Sequence, residues 1–213
     1  MDAASLGRAI TRATEREATD RVAILEAVAE AMPRLGRGLS PDVRAQLAQR
    51  VAPLVESPRG ELSALAIEIA ARTGAPETNA LLVTISSRRG PEGREALAAL
   101  GLVEDDASLA RLREAVTDDD AAVRAVAVIA LGERGGADDL ARIVAVAERG
   151  PWAPTLAASF AVARLARRAV LTASDADAIC SIGLARDPVV RANLIVARED
   201  STATIVPSAK AMA

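Results

Sequence analysis

One stretch constrains the fold more than any other, the segment Thr117–Gly132 with the sequence TDDDAAVRAVAVIALG. Aspartates at its start are favourable helix N-caps, and the glycine at its end is a typical left-handed C-terminal stop. Its apolar residues recur at i, i+3, i+4, i+7 and i+8, the spacing of one helical face: Val123, Val126, Ala127, Ala130 and Leu131. The flanking Val128 and Ile129 are apolar too. We therefore expect a helix that neighbouring elements cover on several sides.

The same kind of pattern continues along the chain. Apolar stripes with helical period are separated by start signals such as Ser40-Pro41 and by stop signals such as Gly74. Pro53 falls inside one stripe and is expected to end or kink that helix near Ala52. No alternation typical of β-strands competes with these helices. The sequence therefore predicts an all-α protein.

Two phrases repeat at intervals that suit helical hairpins. Ala99-Leu100-Gly101 returns 31 residues later as Ala130-Leu131-Gly132. The pattern Asp120-x-x-Val123-Arg124 returns 67 residues later as Asp187-x-x-Val190-Arg191, which is close to two such intervals. A repeat of about 30 to 34 residues holding two helices is typical of an α-solenoid.

Three regions follow from these patterns. Residues 1–19 are expected to form a leading helix or a frayed arm, and residues 20–199 the solenoid. Residues 200–213 have no helical period and are expected to form a loose or strand-like tail. The helix carrying Val22 and Met32 would then lie at the amino-terminal end of the repeats.

The phrase at residues 118–132 resembles the second helix of HEAT repeats, most closely the short bacterial type called PBS-lyase HEAT-like. The similarity is strongest over residues 91–149, weaker over 150–199 and degenerate over 20–90. The resemblance implies a right-handed α-solenoid of about five helical hairpins. Its second helices would line a concave surface, which is where repeat proteins usually bind partners.

The resemblance also implies a ladder of aspartate–arginine pairs along the stack. In this chain the pairs would be Asp120 with Arg124 and Asp187 with Arg191. Members of the family include scaffolds, adaptors, chromophore lyases and relatives of DNA glycosylases, so the resemblance indicates the fold far better than the function.

The residues give little support to catalysis. The chain has no histidine, which removes the commonest general base and metal ligand. The acidic clusters Glu104–Asp106, Asp118–Asp120 and Asp138–Asp139 stand at predicted helix starts, where carboxylates cap backbone N–H groups, so capping is favoured over a catalytic pair or a cation site. Cys180 is the only cysteine and has apolar neighbours, so it is expected to be a buried, unreactive thiol. We expect no catalytic, cofactor or metal site.

Charge and composition limit the classes of partner. The net charge is −3 and aromatic residues make up 1% of the chain, which argues against nucleic acid and against a glycosylase that holds damaged DNA. No uncharged run approaches the roughly 20 residues that a membrane span needs, and no signal peptide precedes the first repeats. The excess of arginine and alanine indicates a bacterial source. A cytoplasmic location is expected.

The candidate binding residues lie in one predicted helix and the turn before it. Arg164, Arg167 and Arg168 recur at i, i+3 and i+4, and are expected to form an exposed basic patch opposite a stripe containing Phe160. Such a patch is either a solvated helix end or a docking site for an acidic partner. Trp152 lies in a proline-flanked turn and is either a plug between repeats or an exposed aromatic anchor.

The favoured hypothesis is a non-enzymatic scaffold or adaptor that binds another protein. A structural subunit that packs through the ends of its solenoid, including as a homo-oligomer, is the first alternative. A lyase-like or glycosylase-like enzyme is the second, and it has the least support from the residues.

Overall fold

The computed structural model describes residues 3–15, 18–35, 38–56, 60–149, 152–172, 175 and 188–203. Within these ranges the regular structure is helical, and no β-strand occurs. The α-helices of the described residues are α1 (Ala3–Glu15), α2 (Ala18–Leu35), α3 (Pro41–Val55), α4 (Gly60–Thr73), α5 (Pro76–Ser86), α6 (Pro91–Ala99), α7 (Asp106–Ala115), α8 (Ala121–Arg134), α9 (Leu140–Arg149), α10 (Trp152–Arg167) and α11 (Pro188–Ala203). The predicted all-α class is confirmed.

The helix boundaries follow the local signals for the most part. The Ser40 hydroxyl accepts a hydrogen bond from the Val43 amide at the start of α3, and Gly74 ends α4 in the left-handed region with φ of 63°. Pro53 does not end its helix, however, because α3 continues without interruption to Val55. Pro53 is exposed and lies in the last turn of α3, where its missing N–H removes a backbone hydrogen bond without ending the helix.

The chain divides into two compact units, Met1–Ser108 and Leu109–Ala213, and α7 carries the boundary. In the first unit consecutive helices pack in pairs, α1 with α2, α3 with α4 and α5 with α6. The first helices of the pairs contact one another in order, as do the second helices. This is the layering of an α-solenoid. Its core is aliphatic and includes Leu6, Leu25, Leu47, Ile69, Leu82 and Leu97.

In the second unit α10 is the central element. It packs against α9 on one side and against both α8 and α11 on others, so that α8, α10 and α11 form a row of second helices. The core of this unit includes Leu112, Val128, Leu131, Ile143, Val162 and Leu165. Small residues fill the buried face of α10, which lets its neighbours approach closely.

Gly132 is not the stop that its position in the motif predicts. Helix α8 continues to Arg134, and its C-cap is Gly135 with φ of −65°. Gly132 is buried inside the helix instead, where a Cβ would lie 2.6 Å from the Cα of Ala161 on α10. The glycine is therefore used for a close approach between two helices rather than for a left-handed turn.

The expected ladder takes a different form in α8. The Asp120 carboxylate caps the helix by accepting from the Ala122 amide at 2.8 Å. Arg124 donates through Nη1 to the carbonyl oxygens of Asp118 at 2.6 Å and Asp119 at 2.9 Å. The arginine thus ties the helix to the backbone of its own leading turn rather than to a carboxylate. The second expected pair includes Asp187, which lies outside the described residues.

Both ends of the chain are helical where the structure describes them. The leading segment forms α1, the first of the two expected alternatives, and its inward residues Leu6 and Ile10 are fully buried against the following helices. The helix carrying Met32 is therefore not terminal, because α1 packs on it. At the other end α11 continues to Ala203, four residues into the segment predicted to be loose or strand-like. The remainder of that tail lies outside the described residues.

Candidate functional site

The second unit brings one edge of α8 next to one edge of α10. Because Gly132 and Ala161 meet backbone to backbone, the side chains that flank this contact are drawn together on the surface. They enclose a groove of about 210 Å³. Its lining comes from three helices of the row and consists of Ile129, Glu133, Phe160, Ala161, Ala163, Arg164, Arg167 and Asn193.

Two large apolar side chains of this groove face solvent. Ile129 on α8 and Phe160 on α10 are each 48% exposed, although both belong to well-packed helices. Phe160 was expected to belong to an inward stripe opposite the arginines, and that expectation is wrong. It lies four residues before Arg164, so one turn of helix places the ring and the guanidinium on the same side.

Arg164 is held by an ion pair across the groove. Its Nε lies 2.9 Å from Oε2 of Glu133 on α8, and the two side chains are 51% and 38% exposed. Arg164 makes no other side-chain hydrogen bond within the described parts of the chain, so its two Nη atoms have no acceptor there. The glutamate therefore holds one edge of a guanidinium whose remaining N–H groups can bind a further anion.

The three candidate arginines are all exposed, but their contacts differ. Arg167 lines the groove with Arg164. Arg168 instead donates from Nη1 to the carbonyl oxygens of Gly132 at 3.1 Å and Gly135 at 2.9 Å. These are carbonyls at the end of α8, so Arg168 serves as a C-terminal cap supplied by a neighbouring helix. The sequence could not separate the three roles, because all three arginines share one helical spacing.

Trp152 is the first residue of α10 rather than part of a loop. Its side chain is 61% exposed, which does not suit a plug between repeats and leaves the interpretation as an exposed aromatic anchor. It lies two turns before Phe160, outside the lining of the groove. The predicted turn is therefore shorter than expected at its carboxyl side.

Ile129 is a further residue of this surface that the sequence did not single out. The apolar flank of α8 was expected to be covered, and Val128 is indeed fully buried. Ile129 on the other flank stays half exposed and lines the groove. The sequence of α8 is apolar nearly all round, and this pattern is compatible with one side of the helix being an interface rather than part of the core.

Three aspartates of the acidic clusters make hydrogen bonds or ion pairs within the protein. Asp105 accepts from the Ser108 amide at 2.7 Å, and Asp118 accepts from the Asp120 amide at 2.8 Å. Asp139 is fully buried and receives Nε and Nη2 of Arg113 at 2.7 and 3.0 Å. Asp105 therefore acts at the start of α7 as a capping side chain does, whereas Asp118 closes a turn before α8 and Asp139 forms a buried ion pair.

The pKa of Asp139 is lowered by this environment. Burial by itself raises the pKa, but hydrogen bonds from Arg113 and from the Gly136 amide, with the charges of Arg113 and Arg142, outweigh it. The pKa of Glu95 is raised in contrast, first by burial and then by the charge of Glu92, against which Arg94 acts in the opposite direction. Neither carboxyl lines the groove.

The first unit contains a larger cavity of about 470 Å³, lined among others by Arg44, Arg72, Asn79 and Glu104. The Asn79 Oδ1 is buried and has no hydrogen-bond partner among the described residues. Arg44 and Arg72 are already engaged, since Arg44 Nε binds the Leu39 carbonyl and Arg72 binds Glu68. Within the described ranges no group of three or more acidic or cysteine side chains is placed to hold a metal ion, and Cys180 lies outside those ranges.

The comparisons agree with this architecture. The family model for HEAT repeats matches residues 92–164. That segment runs from α6 through most of α10 and contains the central motif and most of the groove. The predicted resemblance to HEAT repeats is supported over this segment. No curated protein matches the chain.

Solved structures similar to this chain include an engineered protein and a designed repeat protein. A crystal structure of the engineered protein covers 94% of this chain and 97% of its own, with 16% identity and a TM-score of 0.51. A designed armadillo repeat protein covers 92% of this chain and 99% of its own, with 13% identity and a TM-score of 0.47. At 16% identity the likeness to the engineered protein concerns the fold alone. None of the described helices is both long and apolar enough to cross a membrane.

Proposed function

We propose that this protein is a non-enzymatic scaffold or adaptor that binds a partner protein through the row of second helices in its second unit. The binding surface consists of Trp152, Phe160, Arg164 and Arg167 on α10 with Ile129 on α8, and is called the second-helix surface below. Helical-repeat folds of this class are generally protein-interaction scaffolds. The finer assignments, a bacterial PBS-lyase HEAT-like type and a cytoplasmic location, belong to the same proposal.

The observation that carries the proposal is the exposed pair of Ile129 and Phe160. Each keeps about half of its accessible surface in the folded chain, although Leu131 on α8 and Leu165 on α10 are fully buried. Exposed aromatic and arginine side chains together are typical of interface centres, where aromatics and arginine are enriched. Arg168 leaves the predicted binding set, since it caps α8.

The alternative of a structural subunit that packs through its ends is less favoured at the amino-terminal end. Helix α1 already covers the following helices with Leu6 and Ile10, and its Arg8 and Arg12 are exposed. Exposed charges on the outer face of α1 disfavour the stacking of another apolar surface on it. An enzymatic function is also less favoured, because Asp105, Asp118 and Asp139 are occupied with capping and pairing.

The test is affinity capture from the native host with mass spectrometry, comparing the wild type with Ile129→Asp and Phe160→Asp. The matched control is Leu102→Asp, since Leu102 is 42% exposed but lies in the first unit. We expect one dominant partner that both second-helix variants lose and the control retains. Retention of every captured protein by Ile129→Asp and Phe160→Asp, with unchanged melting temperatures, would rule out this surface.

A further inference from the structure

We propose that the second-helix surface recognises an acidic amphipathic helical segment, and that Glu133 limits its affinity in the unbound protein. The segment would place an apolar side chain between Ile129 and Phe160 and a carboxylate on the open edge of Arg164, beside Arg167. This inference rests on the proposed function. It adds the chemical class of the partner and the role of Glu133, a residue of the protein itself that weakens binding.

The size of the groove sets the first requirement. Its volume of about 210 Å³ is about seven times the 30 Å³ that one water occupies in the liquid, so it holds one or two large side chains and no folded domain. Its apolar walls, Ile129 and Phe160, come from different helices on the two sides of the α8–α10 contact. An inserted leucine or isoleucine would cover both and remove their exposed apolar surface from water.

The charges set the second requirement. Arg164 and Arg167 stand three residues apart on the groove side of α10, and Glu133 is the one acidic side chain in the described lining. Because Glu133 engages only Nε of Arg164, the Nη atoms can receive a carboxylate in addition to the existing pair. A partner with an acidic side chain about one helical turn from its apolar anchor matches this arrangement.

Glu133 opposes such a partner through its charge. The pair with Arg164 is exposed, so it contributes little to stability and its loss would leave the fold intact. A second carboxylate arriving at the same guanidinium is repelled by the first. Substitution of Glu133 by glutamine keeps an oxygen that can accept from Nε while it removes the repulsion.

The probe is a panel of fluorescent helical peptides with one alanine- and glutamine-rich scaffold of about 14 residues. Two leucines lie one heptad apart, and the positions three and four residues after each are all Glu, all Gln or all Lys. We expect binding in the order Glu, Gln, Lys, with at least about fivefold between Glu and Gln peptides at low salt. That preference should shrink as salt is raised.

Variants of the protein test whether the peptide binds at the second-helix surface. Phe160→Ala should abolish binding of the Glu peptide, and Arg164→Gln or Arg167→Gln should remove its preference over the Gln peptide. Glu133→Gln should strengthen binding of the Glu peptide by about two- to fivefold and leave the Gln peptide unchanged. The charge-matched control is Arg89→Gln, an exposed arginine of the first unit.

The outcomes separate the two proposals. Absence of binding by every Glu peptide, or equal binding of Glu and Gln peptides, would overturn this inference. Weaker binding after Glu133→Gln would overturn the role assigned to Glu133. If the capture experiment still finds a partner that depends on Ile129 and Phe160, the proposed function stands without an acidic helix. If capture does not depend on them, both fail.

Discussion

Gly132 and Ala161 are a point of very close approach between α8 and α10, since a Cβ on residue 132 would lie 2.6 Å from the Cα of Ala161 and 3.0 Å from its Cβ. Real Cβ atoms do not come so near to backbone, so any side chain at this position must push the helices apart. The same contact aligns the edges that carry Ile129 and Phe160. The glycine thus supports both the core and the candidate surface.

The first prediction is that Gly132→Ala lowers the free energy of unfolding by about 1–3 kcal/mol, despite the better helix propensity of alanine. Urea unfolding followed by circular dichroism measures the change. Gly136→Ala is the matched control, because a Cβ there meets nothing within 4 Å and its φ is −116°. Equal stability of the two variants would show that α8 and α10 can separate at no cost.

The second prediction concerns the buried carboxylate of Asp139 and its partner Arg113. Asp139→Asn should lower the free energy of unfolding by about 1.5–3 kcal/mol, because it removes a charge from two hydrogen bonds with a guanidinium. Asp138→Asn is the control, since its side chain is exposed on the same turn. Similar losses in both variants would contradict a specific role for Asp139.

The stabilisation that the Asp139–Arg113 pair provides should decrease at low pH. The pKa of Asp139 is lower in the folded protein than the value of about 3.9 for an unfolded chain, so the unfolded state binds the proton more readily. The stabilisation is complete above pH of about 4 and is lost as the pH falls through the folded pKa. The difference between wild type and Asp139→Asn should therefore shrink below pH of about 4. A difference that grows with acid would mean that the pKa is raised instead.

How far the sequence predicts this structure depends on whether a signal is local. Caps and proline starts are local, so the helix start at Ser40 and the helix end at Gly74 were predicted correctly. Gly132 was misassigned because a glycine near the end of a helical stripe suits both a stop and a close contact. Only the presence of α10 beside it distinguishes the two.

The candidate site shows the same limit more strongly. The sequence selected Arg164, Arg167 and Arg168 by their spacing, but their functions depend on which groups α8 places nearby. Glu133 pairs with Arg164, and the last carbonyls of α8 bind Arg168. The apolar side chains of the surface looked like core because apolar residues usually are. Their exposure follows from the packing of three helices, which no single stripe specifies.

The third prediction tests the role of Arg124 at the start of α8. Arg124→Ala should lower the free energy of unfolding by about 1–3 kcal/mol, because the carbonyls of Asp118 and Asp119 lose a charged donor. Arg89→Ala, which removes an exposed arginine, is the control and should change stability by less than about 0.5 kcal/mol. An unchanged melting temperature for Arg124→Ala would show that water replaces the arginine without loss.

The fourth prediction separates Arg168 from Arg167, which are neighbours at the end of α10. Arg168→Ala should lower the free energy of unfolding by about 1 kcal/mol, because the carbonyls of Gly132 and Gly135 lose their cationic donor at the end of α8. Arg167 is exposed, and contacts of exposed charges contribute little to stability. Arg167→Ala should therefore stay within about 0.5 kcal/mol of wild type and weaken partner capture instead.

A reversal of all three arginines to glutamate would therefore be a poor test of binding. A glutamate in place of Arg168 would put a negative charge against the carbonyl end of α8, and loss of capture could then reflect loss of structure. The paired variant Arg164→Gln with Arg167→Gln avoids this, since it leaves the Arg168 cap in place. Thermal unfolding and capture measured on the same preparations show whether a loss of capture reflects a loss of structure. Equal destabilisation by Arg167→Ala and Arg168→Ala would contradict the division of roles.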